Sequence, residues 1–152
     1  MAGSDILSAS HSLDYPYSRS VGPIIGAFLT GLRDGKIFGV RGSGGKVIVP
    51  PTEYDPETSE DVGELVQVGP EGVVETWSWV SNPLRNHPLK TPFAFALIKL
   101  DGADTALLHV IDVDSPAKLS TGARVTPRWR AEDDRLGQIN DIVSFVPVGG
   151  LA

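Results

Sequence analysis

The sequence predicts a mainly β chain: a small closed barrel of five strands, preceded by one helix and a short ribbon-like hairpin. Three observations carry that reading. After residue 72, five stretches rich in β-branched and aromatic residues are separated by turn residues. Before them, residues 23–34 form a single stretch with helical periodicity. Between the two, Gly39 to Thr58 runs through a glycine-rich knuckle, a β-branched strand, a double proline and a second small turn.

Length and composition set the bounds. The 152 residues fit one domain, or a small module attached to one, and a 41% hydrophobic content is enough to bury a core. Lys and Arg total 13 against 19 Asp and Glu, a net charge of −6. Such a balance repels phosphate backbones and anionic membranes unless the basic residues cluster. The absence of cysteine excludes disulfides and thiolate metal sites. No apolar run approaches the ~20 residues of a membrane span, and the polar N-terminus lacks a signal-peptide core. A cytoplasmic location is the expectation.

The elements follow in order. Residues 1–18 are rich in Ser, Asp and Tyr without periodicity and read as a tail or loosely packed arm, either a flexible terminus, the favoured reading, or one pinned locally by Tyr15-Pro16-Tyr17. Residues 19–35 hold the helix, with Pro23 at its first position and Gly35 as its left-handed stop. Ile24, Phe28 and Leu32 form its apolar stripe, widened by Ile25 and Leu29. Its other face is small (Gly26, Ala27, Thr30, Gly31), suited to close approach against its own core or against a partner.

Residues 36–60 form the ribbon, with strands Lys36–Val40 and Lys46–Val49 around the Gly42–Gly45 turn. The Gly-Ser-Gly-Gly-Lys run is no phosphate loop. Val40 stands where a Walker glycine is needed, Val47 where Ser or Thr is needed, and no helix follows.

The barrel is expected over 61–150. An acidic link and a short strand lead to a Gly-Pro-Glu-Gly turn at 69–72. In Val73–Val80, Glu75, Trp77 and Trp79 fall on one face by strict alternation. Phe93–Leu100 and Thr105–Val113 flank an Asp-Gly-Ala-Asp turn, as in a hairpin. Arg124–Arg130, with Pro127 implying an edge or bulge, and Ile139–Val148 complete the set. About five antiparallel strands with one long connection after the first suggest the five-stranded OB barrel.

Helix, two-knuckle ribbon with Pro50-Pro51, and barrel, in that order, resemble the acyl-CoA-associated zinc-ribbon/OB-fold family. Gly45 and Pro50-Pro51 fit that family's fixed glycine and prolines. The register places Arg41 and Gly44 at the first cysteine pair and Asp55 and Thr58 at the second, with Pro56 matching the proline between. Gly72-Val73-Val74-Glu75-Thr76-Trp77 looks like the family's first barrel strand. Residues 92–102, ending in Leu100-Asp101-Gly102, look like its second. The resemblance covers about residues 20–148. All four ligand positions are replaced. Asp55 alone could ligate, and His11, His87 and His109 are dispersed, so no metal is expected. The ribbon would draw its stability from Ile37, Phe38, Val47, Val49 and Tyr54 together with a partner surface.

Members of the family act as companion subunits of thiolase-like enzymes, including the sterol-carrier-type thiolases that work as aldolases on steroid side-chain acyl-CoA thioesters. The resemblance implies a non-catalytic subunit in a complex with a thiolase-fold protein, two copies of each chain forming a heterotetramer. It also implies a CoA thioester as ligand of the complex and a place in lipid or steroid degradation.

The residues agree on the absence of an independent catalytic set. There is no thiolate nucleophile and no Gly-x-Ser-x-Gly elbow. His109, between Leu108 and Val110, reads as a hydrogen-bonded structural histidine, and Asp133-Asp134 as solvated carboxylates. The candidate contacts are Arg85, His87 and Lys90, a cationic group in the proline-rich connection 81–92. They would meet CoA phosphates or an acidic partner rim, or else lie on a solvated linker. Trp77 and Trp79 read as barrel core or as an interface anchor. Two rival readings remain. One is a single-stranded nucleic-acid module built on Trp77, Trp79, Arg128, Trp129 and Arg130, which the acidic charge opposes. The other is a free-standing acyl-CoA or lipid carrier.

Overall fold

The computed structural model describes residues 8–149, so the first seven residues of the expected arm and residues 150–152, the first of which ends the expected barrel, lie outside the described residues. Residues 8–22 form no helix or strand. Tyr15 is 75% and Tyr17 81% exposed, so the Tyr-Pro-Tyr patch does not pin this segment to the rest of the chain.

Helix α1 spans Pro23–Arg33, opens with its proline and stops at Gly35, whose φ of +71° suits a residue without Cβ. It buries Phe28, Gly31 and Leu32. A Cβ on Gly31 would come within 2.5 Å of the Phe38 ring, so part of the small face is a seat for the next strand. Gly22 offers no side-chain cap. Glu53, from the ribbon, accepts the N–H groups of Ile24 (3.3 Å) and Ile25 (2.8 Å) instead. A distant carboxylate thus satisfies helix donors that a local cap usually takes, and it meets the positive end of the helix dipole.

Strands β1 (Ile37–Arg41) and β2 (Val47–Ile48) form the expected hairpin. Strand β3 (Leu65–Val68) pairs with the other edge of β1, from Ile37↔Val68 to Val40↔Leu65. The sheet order is β2-β1-β3. The expected division at residue 61 therefore falls ahead of a strand that joins the ribbon sheet, and the barrel strands start at Gly72. The ribbon is bonded to the barrel at its other edge. Asp104 Oδ2 accepts the Val47 N–H at 2.8 Å, and Thr105 Oγ1 accepts from Val49 N–H (2.7 Å) and donates to Val49 O (2.9 Å).

Five strands close the barrel: β4 (Gly72–Val80), β5 (Phe93–Leu100), β6 (Leu107–Ile111), β7 (Arg124–Trp129) and β8 (Ile142–Pro147). Their order, β4-β5-β6-β8-β7, is that of an OB-fold. One pair departs from the antiparallel expectation: β6 and β8 run parallel and meet at the single bridge Ile111↔Phe145. Val74, Ile98, Leu100, Ile111, Val125 and Phe145 fill the interior, each no more than 1% exposed. Burying each such side chain contributes about 1.5–3 kcal/mol. Arg124 on β7 clamps the barrel end, donating to both carboxylate oxygens of Asp101 (2.6 and 2.7 Å) and to Glu71 (2.7 Å).

Candidate functional site

The two knuckles of the ribbon close on one carboxylate. Asp55, 5% exposed, accepts at Oδ2 from the N–H (2.7 Å) and hydroxyl (3.0 Å) of Ser43 in the first knuckle. Its Oδ1 accepts from the N–H groups of Glu57 (2.8 Å) and Thr58 (3.2 Å) in the second. Ser43 and Thr58 hydroxyls lie 3.1 Å apart, and Lys46 pairs with Glu57 at 2.6 Å. The N–H groups of Glu57 and Ser43 hold the Asp55 carboxyl below the usual carboxylate range. This donor set does not fit zinc. Arg41 turns its guanidinium to Gly45 O and Glu64, Gly44 has no side chain, and Asp55 is already committed to four hydrogen-bond donors. The carboxylate is what joins the two knuckles.

Trp77 and Trp79 pack against the barrel core and are partly buried. Strict alternation puts Glu75 on their face, but the structure does not. A register shift between Val74 and Thr76 makes Glu75 a bulge residue, exposed to solvent. Val74 then faces Ile98, while Trp77 and Trp79 face Ala96 and Ala94, all three partners on the inner side. The small alanines make room for the indoles.

In the connection 81–92, Arg85, His87 and Lys90 do different work. Lys90 Nζ donates to the carbonyls of Arg85 (2.7 Å) and His87 (2.9 Å), tying the loop to itself. His87 Nδ1 accepts the Leu84 N–H at 3.1 Å, and its ring stands edge-on to Phe93 and Phe95 at 5.6 and 6.0 Å. Arg85 is exposed, with no side-chain hydrogen bond or ion pair among the described residues.

His109 is a neutral histidine. Its Nδ1 accepts the Val110 N–H at 2.9 Å, which places the proton on Nε2, and burial holds its pKa below the ordinary value. The ring stands edge-on to Phe145 at 5.3 Å. Asp141, fully buried, has no counterpart among the sequence candidates. It accepts from the N–H groups of Leu136 (3.0 Å), Gly137 (2.7 Å) and Gln138 (3.1 Å), fixing the loop before β8. Burial raises its pKa, but those donors outweigh burial and hold it below the ordinary range. The three-residue spacing of Gln138 and Asp141, a capping box, is the signal that could have found it. Glu53 and Asp104 carry no such local signal, because their partners are distant in sequence.

No helix among the described residues is long and apolar enough to cross a membrane. Residues 65–130 match the family described as the ChsH2 C-terminal OB-fold domain. No curated protein matches the chain at a significant level. Among solved structures, a DUF35-family protein of unknown function from Sulfolobus solfataricus is similar, with 21% identity and a TM-score of 0.60 over 83% of this chain and 84% of that one. A chain of the Ltp2-ChsH2(DUF35) aldolase is similar over 86% of this chain and 95% of that one, with 17% identity and a TM-score of 0.59.

Proposed function

We propose that this chain, whose residues 65–130 match the ChsH2 C-terminal OB-fold family, is a non-catalytic companion subunit of a thiolase-fold enzyme acting on acyl-CoA thioesters. The observation that carries the reading is the similarity to a chain of the Ltp2-ChsH2(DUF35) aldolase, which extends well beyond the barrel segment to 86% of this chain. Such a subunit supplies surface and leaves the nucleophile and bases to its partner. The exposed apolar residues suit that role. Leu97 (38% exposed) and Leu108 (61%) stand opposite each other across β5 and β6, with Leu84 (67%) exposed in the connection 81–92. Arg85 is the cation of that connection left to meet CoA phosphates or an acidic rim. The proposed complex holds two copies of each chain in the cytoplasm and serves lipid or steroid side-chain degradation.

The nucleic-acid reading loses its geometry. Trp77, Trp79 and Trp129 pack against the core, and Arg128 pairs with Asp112 at 2.7 Å, so these residues offer no stacking platform in a basic groove.

The test is a turnover assay of a thiolase-fold protein encoded beside this chain, with and without it. Acyl-CoA cleavage is expected in the mixture and not with this chain alone. Full activity of the enzyme without this chain, or turnover by this chain alone, would contradict the reading.

A further inference from the structure

Where β6 and β8 diverge from their single bridge, the barrel wall opens into a cleft of about 180 Å³. Phe95, Leu108, Val110 and Ile142 form its apolar walls. The cleft continues past Pro88 and Asn140 into a second hollow of about 170 Å³, and there the lining residue is Arg130.

Arg130 differs from the other arginines of β7 and the loop after it. Arg124 is clamped by Asp101 and Glu71, and Arg128 by Asp112. Arg135 lies over the Trp129 ring at 5.4 Å and donates from Nε to Arg130 O. Arg130 has no carboxylate within ion-pair distance among the described residues. Its one side-chain hydrogen bond is a long one, 3.4 Å, to Asn140 O. Its Nε–H is shielded from solvent and has no acceptor. Asp141 acts on it only through space, its own oxygens being taken by backbone donors. The shielded Nε–H is out of a ligand's reach, but a guanidinium that lines the hollow without an ion pair is matched best by a carboxylate on its remaining N–H groups.

We propose that this cleft is a binding site for a short carboxylic acid, with its apolar chain against Phe95, Leu108 and Ile142 and its carboxylate on Arg130. The cleft is open to solvent on one side and accommodates a short unbranched chain along its apolar wall. His109 is on the lining too but has its Nδ1 engaged by Val110, so it offers shape there and no charge. Leu108 also belongs to the apolar surface offered to a partner, so the site is tested on the chain by itself, where a failure to bind the acid leaves the companion reading untouched.

The test is an NMR titration of the full chain with pentanoate and, separately, with pentanamide, which has the same shape without the charge. Pentanoate should move the backbone signals of Leu108, Val110 and Val143 and the Arg130 side-chain Nε–H signal in one saturable process. Pentanamide should bind at least tenfold more weakly, and Arg130→Met should weaken pentanoate by a similar factor. Equal binding of acid and amide, or no saturable shift at these positions, would overturn the proposal. Should Arg130→Met fail to fold, the acid–amide comparison on the unaltered chain decides alone.

Discussion

Ser43 and Asp55, one in each knuckle of the ribbon, are joined twice: the Ser43 N–H and hydroxyl both donate to Asp55 Oδ2, at 2.7 and 3.0 Å. A Cβ on Gly42 would stand 2.5 Å from the same oxygen, so the backbone closes directly onto the carboxylate. With Glu57 and Thr58 on the other oxygen, one side chain spans the gap between two turns.

That clasp predicts a metal-independent ribbon. Asp55→Ala should lower the melting temperature by several degrees and expose the 42–58 backbone to hydrogen exchange. Asp55→Asn should do less, since one acceptor oxygen remains. Chelators should leave the unaltered protein's melting temperature where it is. One zinc per chain by elemental analysis, removable with loss of fold, would contradict the clasp.

Acid should loosen the fold in two stages, with the sign set by three depressed pKa values. His109 is held neutral by burial, so below about pH 6.5 the unfolded chain takes a proton that the native state refuses, and stability starts to fall. Asp55 and Asp141 are both held below the ordinary carboxyl range, so their contribution is intact above about pH 4 and is lost as pH drops through the lower native values. Urea midpoints measured from pH 8 to pH 3 should decline gently below pH 6.5 and steeply below pH 4. Stability that rose on acidification would contradict this assignment.

Glu53 stands in for the missing helix cap, so Glu53→Ala should cost about 1 kcal/mol. For a chain of this size that is a fall of about 2–4 °C in melting temperature. Glu53→Gln, which keeps an acceptor but no charge, should recover part of the loss. Unchanged melting in both variants would show that solvent caps α1 equally well.

Trp77→Ala separates the two readings of the indole face. As a side chain packed against Ala96 and the core, its loss should destabilise the isolated chain by about 2–4 kcal/mol. A purely interfacial anchor would leave the isolated chain's denaturation midpoint unchanged and alter assembly alone.

The barrel was legible because its strands carry local signals: the nearly unbroken apolar run of Phe93–Leu100, and a turn where Asp101-Gly102 demanded one, with Gly102 at φ +86°. The bulge at Glu75 was not, because an inserted residue leaves no mark on composition and only shifts which positions face inward. Strand β3 was seen as a strand but assigned to the barrel, since its partner β1 lies some thirty residues upstream and periodicity does not name partners. The resemblance singles out Asp55 by register, at a position where the family has a cysteine. Its role as a clasp depended on Ser43 N–H, a backbone group that sequence never displays. The cationic trio read as one group from proximity in sequence, whereas geometry turns Lys90 and His87 inward on the loop and leaves Arg85 outside. The Arg130 cleft arises from the divergence of β6 and β8, a property of the closed barrel alone.

The companion role is tested most directly by the mass of the assembled species. Light scattering should give a monomer, or weak self-association, for this chain alone. After co-expression with a thiolase-fold protein encoded beside it, a single species with the mass of two copies of each chain should elute. A chain that remained separate from every such protein at micromolar concentration would contradict the account.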